Sequence, residues 1–412
     1  MASWLIHGGT VITAEEVIPA GVVLVEGEKI TFVGKEGDFD PVRAVAAKEV
    51  DATRFYVVPG YVDVHIHGGG GLDALDGTVE ALAGIARAHA LHGTTSLLVT
   101  PATAPAEELY KVARVTKAIM EKQARRPAAA AVAATAEPGV AEEFEADGAD
   151  VVGMHLEGPF LARSRKGAQN ESFIRQVDEE ELENLLDILG PAFRMMTIAP
   201  EEEKGLLGIR WLVERGITAS IGHTDATYEQ TKAAIALGAN HATHTFNAMR
   251  GLHHRDPGTV GAVMSSPGVY CELIADGIHV HPGAMRVLYE AKGPDRLALV
   301  TDSLSAMGMP EGVYELAHKK VIVKDGSARL ETGELAGSTL GMGRAVANMV
   351  RFAGVSLLEA VRMGSLTPAR SVGIADRKGS LAAGKDADLL LLDSDLNVVR
   401  TMIRGAWLRQ QL

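Results

Sequence analysis

Eight times between residues 57 and 302, a short apolar run ends in polar residues and gives way to a helical stretch; no other feature constrains the fold as strongly. The runs are Val57–His67, Thr94–Thr100, Val151–Glu157, Arg194–Pro200, Ile217–His223, His241–Phe246, Val269–Asp276 and Leu297–Asp302. Helical segments lie between them, at Glu80–His92, Ala106–Lys122, Glu179–Leu189, Glu202–Glu214, Tyr228–Leu237 and Pro282–Ala291. Gly93, Gly190, Gly216 and Gly238 stand where those helices should stop. Eight βα repeats predict an α/β fold, a (β/α)8 TIM-like barrel, in preference to a doubly wound sheet. With 412 residues and 47% hydrophobic content, the chain holds such a barrel of roughly 250 residues and an appendage besides.

The appendage is legible at both ends. Residues 1–55 alternate β-branched runs with glycine turns, as in Gly21–Gly34, and read as hairpins. Strand-like runs return at Asp388–Leu392 and Val398–Ile403. The expected organisation is a small β-sandwich from residues 1–55 plus 375–412, with the barrel over 56–374 inserted between its halves. The Ala-rich stretch 124–140 reads as an external helix and loop without function.

A formal charge of −13 leaves no basic stripe, which disfavours nucleic acid and anionic membrane as partners. Cys271 is the single cysteine, so no intrachain disulfide forms. The first residues show no basic segment leading into an apolar one, and no apolar run reaches the ~18 residues that span a bilayer. The expectation is a cytoplasmic protein.

His65 and His67 lie two apart at the end of the first run, so both imidazoles point to one face. Alone, an H-x-H pair is as well explained by two hydrogen-bonded polar histidines as by metal ligation. Glu157, His223, His244 and Asp302 have similar bland readings as strand-end or loop residues. Yet all six fall at the expected C-terminal ends of strands 1, 3, 5, 6 and 8, which converge on the one mouth where this fold does its chemistry. Four imidazoles and two carboxylates suit one or two divalent ions with room for water. Asp302 is the expected proton carrier of a hydrolytic site. His89 and His92, on a helical face, read as packing or surface residues, and no motif singles out His253, His254 or His281.

Taken together, P-G-Y-V-D-V-H-I-H-G (59–68), H-L-E-G-P-F (155–160), G-H-T-D-A (222–226), H-T-F-N-A-M (244–249), A-D-G-I-H-V (275–280) and T-D-S (301–303) resemble the N-acetylglucosamine-6-phosphate deacetylases of the amidohydrolase superfamily. The run Gly379–Leu389 resembles the closing strand of that superfamily's small β domain. The resemblance implies a metal held by Glu157, His223 and His244, a second ion at His65 and His67, and Asp302 touching the metal or its water. Zinc is the implied ion, with iron as the alternative. It further implies substrate contacts from Ala168, Gln169, Asn247, Ala248, Arg255, His279, Leu335, Ala336 and Gly337, with Arg255 and His279 at the phosphate and Arg255 reaching across a homodimer interface. Two departures stand out. Gln169 occupies a position where the family often has histidine, and Ala336–Met342 replaces the usual S-G-S-S-L-T-M.

Three other readings remain at this point. N-acetylgalactosamine 6-phosphate differs from the gluco sugar at one hydroxyl. A cyclic-amide hydrolase shares H-x-H and the closing aspartate, but usually bridges its metals with a carboxylated lysine, and no lysine ends the third run. A catalytically silent sugar-phosphate-binding barrel uses the same fold.

Overall fold

Every residue of the strands Tyr61–Ile66, Thr94–Val99 and Asp150–Glu157 is buried, as expected of a parallel sheet covered on both faces. In the computed structural model, which describes residues 3–125 and 145–408, these three continue through Phe193–Ile198, Thr218–Ile221, His241–Ala242, Tyr270–Ile274 and Leu297–Val300 into one eight-stranded sheet. Neighbours in the sheet are neighbours in the chain, and all pair in parallel. A parallel bridge between Ile66 and Ser303 joins the two ends of the ring. It is reinforced by Asp302 N–H donating to the His65 carbonyl at 2.9 Å and Thr301 Oγ1 donating to Asp63 at 2.6 Å. The ring is therefore a closed barrel, the TIM-like fold expected.

The crossover helices match the expected segments closely, from Val79–Leu91 to Pro282–Lys292. Gly93, Gly190, Gly216 and Gly238 all have positive φ, so the chain turns there at little steric cost. The sixth crossover was not foreseen as a helix; a seven-residue helix, Gly258–Met264, occupies it. Among the described residues, no helix is long and apolar enough to cross a membrane. Of the Ala-rich stretch, residues 126–140 lie outside the described residues.

Sheets from both ends of the chain form the second layer. One comprises Ser3–His7, Gly21–Glu26, Lys29–Lys35 and Lys48–Asp51; the other brings Thr10–Ile12 beside Tyr56–Pro59, Leu389–Leu392, Val398–Ile403 and Ala406–Leu408. Trp4, Ile6, Val25, Val57, Leu391 and Trp407 share one apolar core within this unit. The single run expected at Val57–His67 is thus two strands. Tyr56–Pro59 pairs antiparallel with Leu389–Leu392, whereas Tyr61–Ile66 enters the barrel. The break falls at Gly60, whose N–H bonds to the Asp388 carbonyl. A β-carbon there would sit 2.1 Å from Thr95 Oγ1, so only glycine permits the close approach at which the chain changes sheets.

Two further features tie the layers together. Lys378 is buried with its Nζ 2.7 Å from Asp150, at the start of the third barrel strand, 2.7 Å from Asp388 and 3.0 Å from Asp386, beside the terminal sheet. After the last barrel strand, a three-stranded antiparallel insert, Gly312–Leu316, Lys319–Lys324 and Ser327–Leu330, folds over the mouth on its own apolar core.

Candidate metal and active site

His223, His244 and Asp302 each stand two residues beyond the end of a barrel strand, and each has φ in the left-handed region, at +45°, +28° and +49°. His and Asp enter this region more readily than most residues. There the chain turns sharply out of the strand at the mouth of the barrel. Strained backbone of this kind concentrates at functional sites. Glu157 ends the third strand, and His65 and His67 end the first.

The side chains converge. Glu157 Oε1 lies 3.0 Å from His223 Nε2, 2.9 Å from His244 Nε2 and 3.4 Å from His65 Nε2. Its Oε2 lies 3.3 Å from His67 Nε2. Asp302 Oδ1 is 3.1 Å from His67 Nε2 and 3.6 Å from His65 Nε2. On the far side of three of the rings, Nδ1 meets a group that only accepts: Glu272 for His65 at 2.9 Å, the Thr100 carbonyl for His67 at 2.8 Å and the Arg165 carbonyl for His223 at 2.8 Å. Nδ1 therefore carries a hydrogen, and Nε2 is the nitrogen that faces the carboxylates, free to donate a proton to them or, when neutral, its lone pair to a metal.

This donor set fits a divalent metal. His65 Nε2 is buried without a hydrogen-bond partner. Two groups of donors lie close enough to share an ion: His65, His67 and Asp302, and Glu157, His223 and His244. A third group, His65, His155 and Glu272, is equally close. It is already satisfied, because both nitrogens of His155 are engaged, by the Val64 carbonyl at 2.9 Å and Thr197 Oγ1 at 2.8 Å. The electrostatics point the same way. Burial works against charge throughout, yet Glu157 is held well below the usual carboxylate range by His223 and His65, and Asp302 is held at about 2 by His65 and His67. Burial likewise disfavours the charged form of His67, but Asp302 and Glu157 hold it up at about 10. The cluster calls for positive charge, which protons or a divalent cation supply.

A cavity of about 230 Å³ opens over these groups. Of the expected residues, His67, Glu157, His223, His244 and Asp302 line it, with Ala168, Gln169, Asn247, Ala248, His279, Leu335 and Gly337 around them. His65 lies behind the others, fully buried. Ala336 points elsewhere, buried in the core of the insert with its N–H on the Ala328 carbonyl. Arg255 is exposed and does not line the cavity; its Nη1 lies 2.7 Å from His254 Nε2. Gln169 accepts from Thr103 N–H at 2.8 Å, which orients its amide so that Nε2 donates to Glu157. A wider cleft of about 580 Å³ beside the insert contains none of the six clustered donors, so size does not mark the site.

Several residues escaped the sequence reading. Glu272 was legible as a charge in the middle of a buried apolar run. Leu316 and Glu334 line the cavity from the insert, whose fold over the mouth no local pattern announces.

The match to known proteins now has a site to attach to. Residues 56–408 match the model of the Amidohydrolase family. The chain belongs to the amidohydrolase family. Over 404 residues, 98% of this amidohydrolase and 96% of the relative, it is 38% identical to the N-acetylglucosamine-6-phosphate deacetylase of Bacillus subtilis (strain 168). It is also 38% identical to the N-acetylgalactosamine-6-phosphate deacetylase of Escherichia coli O157:H7, over 88% of this amidohydrolase and 89% of that protein. A variant of the deacetylase from Mycobacterium smegmatis, solved in complex with N-acetyl-D-glucosamine-6-phosphate, superposes with a TM-score of 0.86 at 35% identity, covering 99% of both chains.

Proposed function

We propose that this amidohydrolase cleaves the acetamide of N-acetyl-D-glucosamine 6-phosphate, releasing acetate and D-glucosamine 6-phosphate. The observation that carries the reading is the convergence of Glu157, His65, His67, His223, His244 and Asp302 at one barrel mouth, in a chain collinear with deacetylases of that sugar. Glu157, His223 and His244 would hold one divalent ion, and His65, His67 and Asp302 would offer a place for a second. Zinc is our assignment, with iron as the alternative, since both accept nitrogen and oxygen donors. When bound, the metal supplies Lewis acidity, polarising the acetyl carbonyl and making water acidic enough to attack near neutral pH.

The rest falls to the chain's own groups. Asp302, held ionised, takes a proton from the attacking water as its oxygen bonds to the acetyl carbon. It returns that proton to the amide nitrogen as the C–N bond breaks, because an unprotonated amine is a poor leaving group. Asn247, Ala248, Gln169, Leu335 and Gly337 shape the sugar pocket. His279, braced by Asp276 at 2.7 Å, meets the phosphate. Arg255 serves the phosphate of a second copy in a homodimer; its exposure and its absence from the lining of its own cavity agree with that role. Buried Cys271 as the single cysteine accords with a cytoplasmic location.

Incubating metal-loaded enzyme with N-acetylglucosamine 6-phosphate, its galacto epimer and unphosphorylated N-acetylglucosamine, while following acetate and free amine, tests the reading. Preference for the phosphorylated gluco sugar is the expected result. Release from the galacto epimer alone keeps the chemistry and changes the substrate. No release from any of the three overturns the proposal.

A further inference from the structure

Glu272 lies in the middle of the seventh barrel strand, wholly buried beneath the cavity. Its Oε2 accepts two hydrogen bonds, one from His65 Nδ1 at 2.9 Å and one from the backbone N–H of His244 at 2.9 Å. Its other oxygen has no hydrogen-bond partner, His241 Nδ1 being 3.6 Å away. A buried carboxylate is an expensive way to accept two hydrogen bonds, because a neutral amide of the same size accepts them without desolvating a charge. The charge itself is therefore the informative feature.

His65 and His244 belong to different donor groups, one with His67 and Asp302 and the other with Glu157 and His223. A single oxygen of Glu272 thus ties the two groups together. On the His65 side it fixes the hydrogen on Nδ1 and makes Nε2 a stronger donor, as a carboxylate behind a ligating imidazole does. On the His244 side it holds the backbone of a residue whose φ of +28° is otherwise unfavourable.

We infer that Glu272 is a positioning residue whose buried charge sets His65 and His244 as metal donors in register with each other, an inference that rests on the proposed metal-dependent hydrolysis. Two substitutions separate charge from shape. Glu272→Gln keeps the size and an acceptor oxygen but removes the charge; Glu272→Asp keeps the charge and draws it back by one methylene. Zinc affinity is measured by competition with a chromophoric chelator, and the visible spectrum of cobalt(II)-loaded protein reports the donor set without turnover. The expected result is a loss of affinity of about 10–100-fold in E272Q, with shifted cobalt bands and a smaller loss in E272D. A purely structural role reverses the order, with E272Q at the wild-type value and E272D impaired, and that result overturns the inference. If E272Q does not fold, a neutron structure of zinc-loaded wild type decides. A deuteron on His65 Nδ1 facing a bare Glu272 supports the inference, and a deuterated Glu272 overturns it. Wild type that binds no metal sinks the functional reading and this inference together; wild type that binds zinc beside an E272Q of unchanged affinity sinks this inference alone.

Discussion

Asp302 sits at φ +49°, in a region that asparagine occupies as comfortably as aspartate. Asp302→Asn should therefore fold and retain metal, since Glu157, His223 and His244 are untouched. It should lose turnover by about 10²–10⁴-fold, because the proposed proton carrier is gone. Metal content by elemental analysis beside acetate release checks both halves, and near-wild-type turnover removes Asp302 from the mechanism. At this scale the sequence was most legible where residue type and position at a strand end coincide, as for His65, His67, Glu157, His223, His244 and Asp302. Arg255 and Ala336 show the limit. A motif gives a residue's place in the chain but not the direction of its side chain, and in this structure neither lines the cavity.

At the scale of elements, neighbouring strands constrain one another through contacts that no single segment contains. A β-carbon on Gly222, which follows the fifth barrel strand and precedes His223, would lie 2.6 Å from Thr243 Cβ and 2.9 Å from Thr197 Cγ2. Gly222→Ala should cost about 1–3 kcal/mol through overpacking and shift His223, so that chelator competition shows weaker zinc binding while circular dichroism stays native. Lys378 binds the barrel to the terminal sheet through Asp150, Asp386 and Asp388. Asp386 keeps Lys29 at 2.7 Å, but replacing Lys378 by Met leaves Asp150 and Asp388 buried without their ion-pair partner and should cost about 3–5 kcal/mol in urea unfolding. Burial alone would lower the Lys378 pKa, but Asp150, Asp388 and Asp386 raise it above its ordinary 10.5. A raised folded value means the stabilisation is whole below pH 10.5 and fades as pH climbs through that higher value. The stability gap between wild type and K378M should therefore narrow as pH climbs above 10.5; a gap indifferent to strong alkali contradicts the pairing.

For the whole molecule, the proposed ions are held by donors from five separate strands, so metal binding is linked to folding of the entire barrel. Chelation should lower the thermal midpoint, and zinc restored at about a hundred times its Kd should return about 2.7 kcal/mol. A midpoint indifferent to chelator argues against a buried metal. The sequence by itself determined the eight-fold βα alternation, the residues that end each strand and the β units at the two ends of the chain. Each of these is written in local periodicity and local turn chemistry. Tertiary structure alone decided that the ring closes through Asp63 and Ser303, that the chain changes sheets at Gly60, that the insert overhangs the cavity and that Glu272 stands behind His65. These depend on contacts between residues up to more than three hundred positions apart in the chain, and such contacts leave no periodic trace because each partner's local pattern is the same whether or not they meet.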